Sequence, residues 1–303
     1  MNIEEIAGVH LGKAGDGSAV KPYVTPDQID PSLLVAVPRV LNRVQYGIDE
    51  SDLPFDGYDV WNCYEVSALL QCGAPISGVM KLRYPSNSES IVESKSLKLF
   101  LNSFNMHVLN TNEILYAKRE IELLVQQALA SLLNTSIAVE FNVCVANVVS
   151  LTEQYPFPLE HELHLASIAF DHYNESSDIL VGKESEKPVD YYSELLRSNC
   201  RVTNQPDWGD VYVYIDGDVV PTEESFLQYI VSMRKENHFH EEICECIYKR
   251  LWDKFSPRKL AVGCFYTRRG GIDINPIRVS DDTLYTLFQE MLSLDVIAKT
   301  VKQ

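Results

Sequence analysis

Basic side chains are scarce in this sequence: 26 Lys and Arg stand against 43 Asp and Glu in 303 residues, a formal charge of −17. A field of that sign repels polyanions, which argues against a tRNA or DNA clamp and against an anionic membrane surface as partner. Long apolar runs are also missing. None approaches the roughly 18 residues of a membrane span, and the start Met-Asn-Ile-Glu-Glu-Ile has neither the basic nor the apolar segment of a secretory leader. Cysteine is sparse, odd in number and scattered: Cys63, Cys72, Cys144, Cys200, Cys244, Cys246 and Cys264 do not form a disulfide framework, and a reducing, cytoplasmic setting is expected. Neither a Gly-x-Gly-x-x-Gly nor a Walker sequence occurs, so Rossmann and P-loop sites have no support.

Hydrophobic residues make up 46% and charged residues 23% of the chain, the composition of an ordinary globular protein of about two domains. The first fifty residues, rich in Gly and Pro, read as an irregular arm. Alternation predicts strands over 60–66 and 79–84. Helices follow over 95–105 and 112–133, the second capped by Thr111 and striped by Ile114, Ala117, Ile121, Leu124, Ala128 and Leu132. A strand is expected over 137–145. After a polar stretch at 171–190 the order repeats: strands near 200–204 and 211–215, a helix after Pro221-Thr222, a helix over 241–255, a strand over 260–266, the turn Arg268-Arg269-Gly270-Gly271 and a strand through Ile272 and Ile274. Ser96–Phe104 also aligns with Ser225–Met233 at six of nine positions. These features predict a duplicated α+β unit with antiparallel strands, divided as 1–170 and 171–303.

Among the cysteines, Cys200 stands in Ser198-Asn199-Cys200-Arg201, polar and next to a cation, the setting that activates a thiol. The turn Asn204-Gln205-Pro206-Asp207-Trp208-Gly209 returns the chain toward it, making Asp207 a candidate proton donor if burial keeps it protonated. His240-Glu241 opens a helix; His240, Cys244 and Cys246 form a cluster that would hold zinc only if Cys246 reached round the helix. Two basic clusters, Glu93-Ser94-Lys95-Ser96-Leu97-Lys98 at a helix start and Arg268-Arg269-Gly270-Gly271 at a tight turn, suit a phosphorylated cofactor on an otherwise acidic chain.

Glu93-Ser94-Lys95-Ser96-Leu97-Lys98-Leu99-Phe100 resembles the signature of the QueF family of nitrile reductases. Ser198-Asn199-Cys200, Gln205-Pro206-Asp207-Trp208-Gly209, Phe239-His240-Glu241 and Arg268 to Pro276 resemble its remaining motifs in order. Phe100 departs from the Tyr more common there but keeps the ring. The resemblance is to the long subgroup of two fused tunnelling-fold units, with helices packed on one face of the sheet. It implies reduction of the nitrile of 7-cyano-7-deazaguanine to a primary amine with two NADPH, through a thioimide on Cys200 with Asp207 as proton donor. By the same resemblance Ile91, Val92, Glu93, His240 and Glu241 would hold the deazaguanine ring. Ser94, Lys95, Arg269 and Gly270 would contact NADPH. It implies a small-molecule substrate, no resident metal, no direct nucleic-acid contact and a homodimer. The alternative is a zinc-dependent cyclohydrolase-like enzyme of the same fold, acting on a purine-like ring.

Overall fold

A computed structural model describes residue 26, residues 28–143 and residues 147–303. Alternating apolar residues over long stretches build a pleated sheet with two buried faces. The first repeat runs β1 (Ala36–Pro38), α1 (Val40–Arg43), β2 (Asp56–Leu69), β3 (Pro75–Pro85), β4 (Ser90–Val92), α2 (Ser94–Asn102), α3 (Ile114–Leu133) and β5 (Ala138–Asn142). A connection containing β6 (Asn147–Ser150) and α4 (Leu159–Glu162) leads to the second. There the order is β7 (Gly182–Glu184), β8 (Val189–Cys200), β9 (Pro206–Asp216), β10 (Val219–Pro221), α5 (Glu223–Ser232), β11 (Asn237–His238), α6 (His240–Phe255), β12 (Lys259–Tyr266) and β13 (Ile272–Val279). α7 (Gln289–Leu292) and β14 (Val296–Lys299) close the chain.

One eight-stranded sheet in the order β11-β8-β9-β12-β13-β2-β3-β5 holds both repeats, antiparallel except at the β11/β8 edge. β13 pairs with β2 from Ile272↔Cys63 to Val279↔Asp56, so the sheet is continuous across the two halves.

The expected α+β duplication extends to individual hydrogen bonds. Each repeat has a bulged long hairpin, with register shifts between Cys63 and Val66 and between Ser193 and Leu196. Each also has a small two-stranded sheet, β1/β4 or β7/β10, ahead of its first long helix. Ser96 Oγ donates to the Glu93 carbonyl as Ser225 Oγ does to that of Thr222, and Ser103 and Ser232 donate alike to Phe100 and Tyr229.

The long helices cover one face. Phe100, Phe104, Ile121, Val125 and Leu129 pack on Trp61, Met80 and Leu82 in the first repeat; Phe226, Ile230, Ile243, Ile247 and Leu251 pack on Val211, Val213 and Ile215 in the second. Each such fully buried aliphatic or aromatic side chain stabilises the fold by about 1.5–3 kcal/mol. The opposite face is covered too: Tyr155, Leu284, Phe288 and Met291 lie on Val60, Tyr212, Phe265 and Ile277.

Three expectations need correction. β8 ends at Cys200 and residues 201–203 form the turn, because Arg201-Val202-Thr203-Asn204 is a polar reversal in which Asn204 takes a left-handed conformation at φ 56°. Thr111 does not cap α3; its hydroxyl accepts from Glu113 N–H, one turn early, and Glu113 is the N-cap without a side-chain bond. The strand expected over 137–145 is β5, and the end of that range, with Cys144 and Val145, lies outside the described residues.

Beside the β2/β13 seam sits a buried ionic cluster. Glu245 Oε1 accepts from Arg43 at 2.7 Å and from Arg278 at 2.8 Å; Asp59 takes Arg278 at 2.9 Å and also pairs with Arg39. Burial alone would raise the Glu245 carboxyl, but Arg278, Arg43 and Arg39 outweigh it and hold it down at about 2.

Candidate active site

A cavity of about 300 Å³ opens between the repeats. Its first wall is the end of β4 and the start of α2. Ile91 and Val92 are buried, and Glu93 is the N-cap, accepting from Lys95 N–H at 2.9 Å and Ser96 N–H at 2.7 Å. Thr222, an ordinary capping residue, does this work in the second repeat. A glutamate that is 3% exposed at the equivalent position therefore combines capping with a carboxylate on the cavity wall. Ser94, Lys95 and Lys98 follow on the same wall, Lys98 lying 3.3 Å from Glu65.

The second wall comes from the β8/β9 hairpin. Cys200, half-buried, ends β8; the turn is closed by Cys200 N–H to Gln205 O at 2.8 Å and Asn204 N–H to Cys200 O at 2.9 Å. The register pairs Ser198 with Asp207, and Ser198 and Cys200 share a strand face, so Asp207 returns on the side of the thiol. At the sheet edge β11 pairs His238 with Cys200 and leads through the N-cap Phe239 into His240 and Glu241.

His240 stacks on Tyr266 with ring centroids 3.8 Å apart, and its Nε2 lies 3.5 Å from Asp207 Oδ2. Burial lowers its imidazole to about 3, so the ring is neutral at physiological pH, although Asp273 opposes the shift. Glu241, 2% exposed, has one carboxylate oxygen without a hydrogen-bond partner. Burial, then the nearby Asp59, raises its carboxyl to about 8, against the opposing pull of its own backbone, Arg39 and Arg278.

The third wall is the turn before β13. Gly270 and Gly271 have φ of 57° and 79°, and a Cβ on Gly271 would stand 2.4 Å from the Glu65 carboxyl carbon. Arg269 reaches back to form an ion pair with Asp207 and donates to Gln205 Oε1 at 2.7 Å. Arg268 instead lies over the Tyr64 ring and does not line the cavity.

All eleven site residues that the resemblance implies line this one cavity. One detail differs. The Arg201 guanidinium is bound by Glu242 at 2.9 Å and Asn42 at 3.2 Å rather than left for the thiol. Asp207 is buried as expected, and Arg269 forms an ion pair with it inside the cavity. The donors of the zinc cluster diverge: Cys244 Sγ faces the Val262 and Pro276 carbonyls, Cys246 Sγ faces Tyr229, and His240 Nε2 faces Asp207. Trp61, Gln205 and His238 also line the cavity and were missed. Trp61 and His238 come from other strands, and only sheet register brings them here.

The fold and cavity define a protein of two fused α+β repeats with a thiol, three carboxyl groups and a basic mouth gathered at their junction. Residues 25–141 match the family described as nitrile reductase, 7-cyano-7-deazaguanine-reductase N-term, and residues 206–284 match that described as QueF-like protein. The NADPH-dependent 7-cyano-7-deazaguanine reductase of Rickettsia massiliae is 37% identical over 264 residues, covering 86% of this chain and 91% of its own. That of Cupriavidus taiwanensis is 37% identical over 269 residues, covering 88% and 93%. A crystal structure of the archaeosine synthase QueF-Like in the apo form aligns with 32% of this chain and 95% of its own, at 18% identity and a TM-score of 0.30. The chain belongs to the family of NADPH-dependent 7-cyano-7-deazaguanine reductases.

Proposed function

We propose that the protein reduces the nitrile of 7-cyano-7-deazaguanine to the aminomethyl group with two NADPH per turnover, a step in making queuosine for tRNA. The observation that carries this reading is the convergence of Cys200, Asp207, Glu241 and Glu93 with Lys95 and Arg269 on one cavity. Cys200 adds to the nitrile carbon. Asp207, paired with Arg269, takes the thiol proton and delivers it to the nitrile nitrogen, leaving a neutral thioimide with no atom unaccounted for. Glu93 and Glu241, from opposite walls, accept hydrogen bonds from the ring N–H groups, and Ile91, Val92 and the His240 segment enclose its faces.

Ser94, Lys95, Arg269 and Gly270 suit NADPH. Lys95 and Arg269 are cations on a chain of net −17, Ser94 adds a hydroxyl on the same wall, and Gly270 lets backbone approach closely. Two NADPH, bound in turn, would each supply one hydride to the thioimide carbon, with one proton taken up per hydride, and the C–S bond breaks between the two additions to return the Cys200 thiol. Arg269 has two calls on its charge, Asp207 and the cofactor phosphates, so cofactor binding competes with the ion pair.

The units 1–170 and 171–303 would act as one site per chain in a homodimer, without nucleic acid or metal, in the cytoplasm. Among the described residues all six cysteines are free and no helix is long and apolar enough to cross a membrane. The homodimer is supported by the repeat itself. The second repeat's hairpin end packs through Val202 on Ile91 and Val37 beside the α2 start, while the segments beside the equivalent end of the first expose Met106, Val108, Ile114, Leu115 and Tyr116. A second copy would cover it with the start of α5, where Val181 and Val219 are exposed.

The test is NADPH oxidation followed by absorbance with and without the nitrile, together with mass analysis of the protein. Nitrile-dependent oxidation and an adduct lost in Cys200→Ala are expected. Oxidation without nitrile dependence, or an adduct on another cysteine, overturns the assignment.

A further inference from the structure

Glu242 takes no part in the steps above, yet one of its oxygens joins three segments that meet behind Cys200. The residue is buried, 6% exposed. Oε2 accepts from Phe239 N–H at 3.0 Å and from Arg201 Nη1 at 2.9 Å, and lies 3.2 Å from His238 Nδ1. Phe239 precedes the turn that carries His240 and Glu241. Arg201 directly follows Cys200, and His238 is the register partner of Cys200. The cluster is anchored on the far side, where Arg201 also donates to Asn42 at 3.2 Å and His238 Nε2 lies 2.8 Å from the Tyr46 hydroxyl. Burial would lower the His238 imidazole, but Glu236 and Glu242 outweigh that and raise it. Glu242 thus faces the Arg201 guanidinium and the His238 imidazole, one on each side of the thiol's backbone.

We propose that Glu242 is the positioning residue for the Cys200 thiol: it holds Arg201 and His238 in place and offsets the Arg201 charge. This rests on Cys200 being the nucleophile. The charged and titratable groups around Cys200 are Arg201 in its own turn, His238 from β11, His240, Glu241 and Glu242 from α6, Asp207 from β9, Arg269 from the turn before β13, and Glu93, Lys95 and Lys98 across the cavity, with Glu236 behind His238. Of these, Glu242 is the carboxylate bonded to the residue next to the thiol. Removing its charge leaves Arg201 uncompensated, which favours the thiolate and lowers the pH at which Cys200 ionises.

The experiment measures iodoacetamide alkylation of Cys200 against pH by peptide mass, in a Cys72→Ser background because Cys72 is exposed. In parallel it measures the rate of the nitrile adduct. For Glu242→Gln, which keeps an acceptor for Phe239 N–H, the alkylation midpoint should fall by about 0.5–1 pH unit while adduct formation slows about tenfold or more. Glu242→Asp, which keeps the charge, should leave the midpoint where it is. Arg201→Gln, on the half-buried turn, should raise it, and this variant decides the matter if Glu242→Gln does not fold. Unchanged midpoints in both Glu242→Gln and Arg201→Gln overturn the proposal. So does equal loss of the adduct in the Asp and Gln variants with no shift. Alkylation needs no substrate, so a wild-type protein inert toward the nitrile would count against the proposed reaction and leave the charge measurement intact.

Discussion

A carboxyl buried near a second carboxylate favours its neutral form, and Glu241 is in that position beside Asp59. In the folded protein it binds a proton up to about pH 8, whereas its unfolded value is 4.5. Between those limits the folded state holds more protons than the unfolded state, so this group's contribution to stability falls as pH rises. Ring N–H donors need the ionised form, so nitrile binding should tighten as pH rises toward about 8 and release a proton below it. Calorimetric titration in two buffers of different ionisation enthalpy reads that proton directly. Glu241→Gln should bind more weakly and show no proton release; a wild-type binding enthalpy independent of buffer would count against the coupling. Asp207→Asn belongs to the same scale: it should slow adduct formation far more than it weakens binding, and equal turnover in the variant would remove Asp207 from the chemistry.

At the scale of elements, the long hairpins and amphipathic helices were legible because their side chains alternate or recur over ten or more residues. The paired three-residue strands β1/β4 and β7/β10 were not, since three residues carry no period. Cys200, Asp207 and Arg269 were legible as chemistry, but their meeting depends on a hairpin register and a glycine turn from a distant strand. The Glu242 cluster was invisible for the same reason: Arg201 reads as a cation beside a thiol until the tertiary structure supplies its partner. The two glycines of that turn support a prediction. Gly271→Ala would drive a Cβ into Glu65 and strain a positive φ, displacing Arg269 and disturbing Lys98. Its KM for NADPH should rise more than its KM for the nitrile, as should that of Lys95→Ala, by about tenfold or more for a lost charge-assisted bond. Parallel rises in both constants would show that this turn serves the pocket as a whole.

Across the whole molecule, divergence between the repeats explains why one chain makes one site. Leu70 and Ala74 close the first hairpin as Cys200 and Gln205 close the second, and Thr222 caps where Glu93 caps, so each repeat keeps only half of the machinery. A Glu93→Ala protein mixed with a Cys200→Ala protein should therefore recover no activity; recovery would place the pocket between chains. The exposed end of the first repeat gives a separate prediction. Leu115→Glu with Tyr116→Glu should convert a dimer to monomer by light scattering at unchanged helix content, and a wild-type monomer would refute the pairing. Finally, the β2/β13 ladder and the parallel β6/β14 pair both join strands from the two halves of the chain, and Lys81 and Arg83 grip carbonyls of the closing segment at 2.6 Å and 2.8 Å. Because the halves are stitched by hydrogen bonds at two places, the exposed peptide link at Asp171 and His172, ahead of the Glu175 that pairs with Arg250, is a tether rather than a support. Two separately encoded fragments, opened there and produced together, should reassemble into a working enzyme, which would make the fold a candidate for complementation sensors.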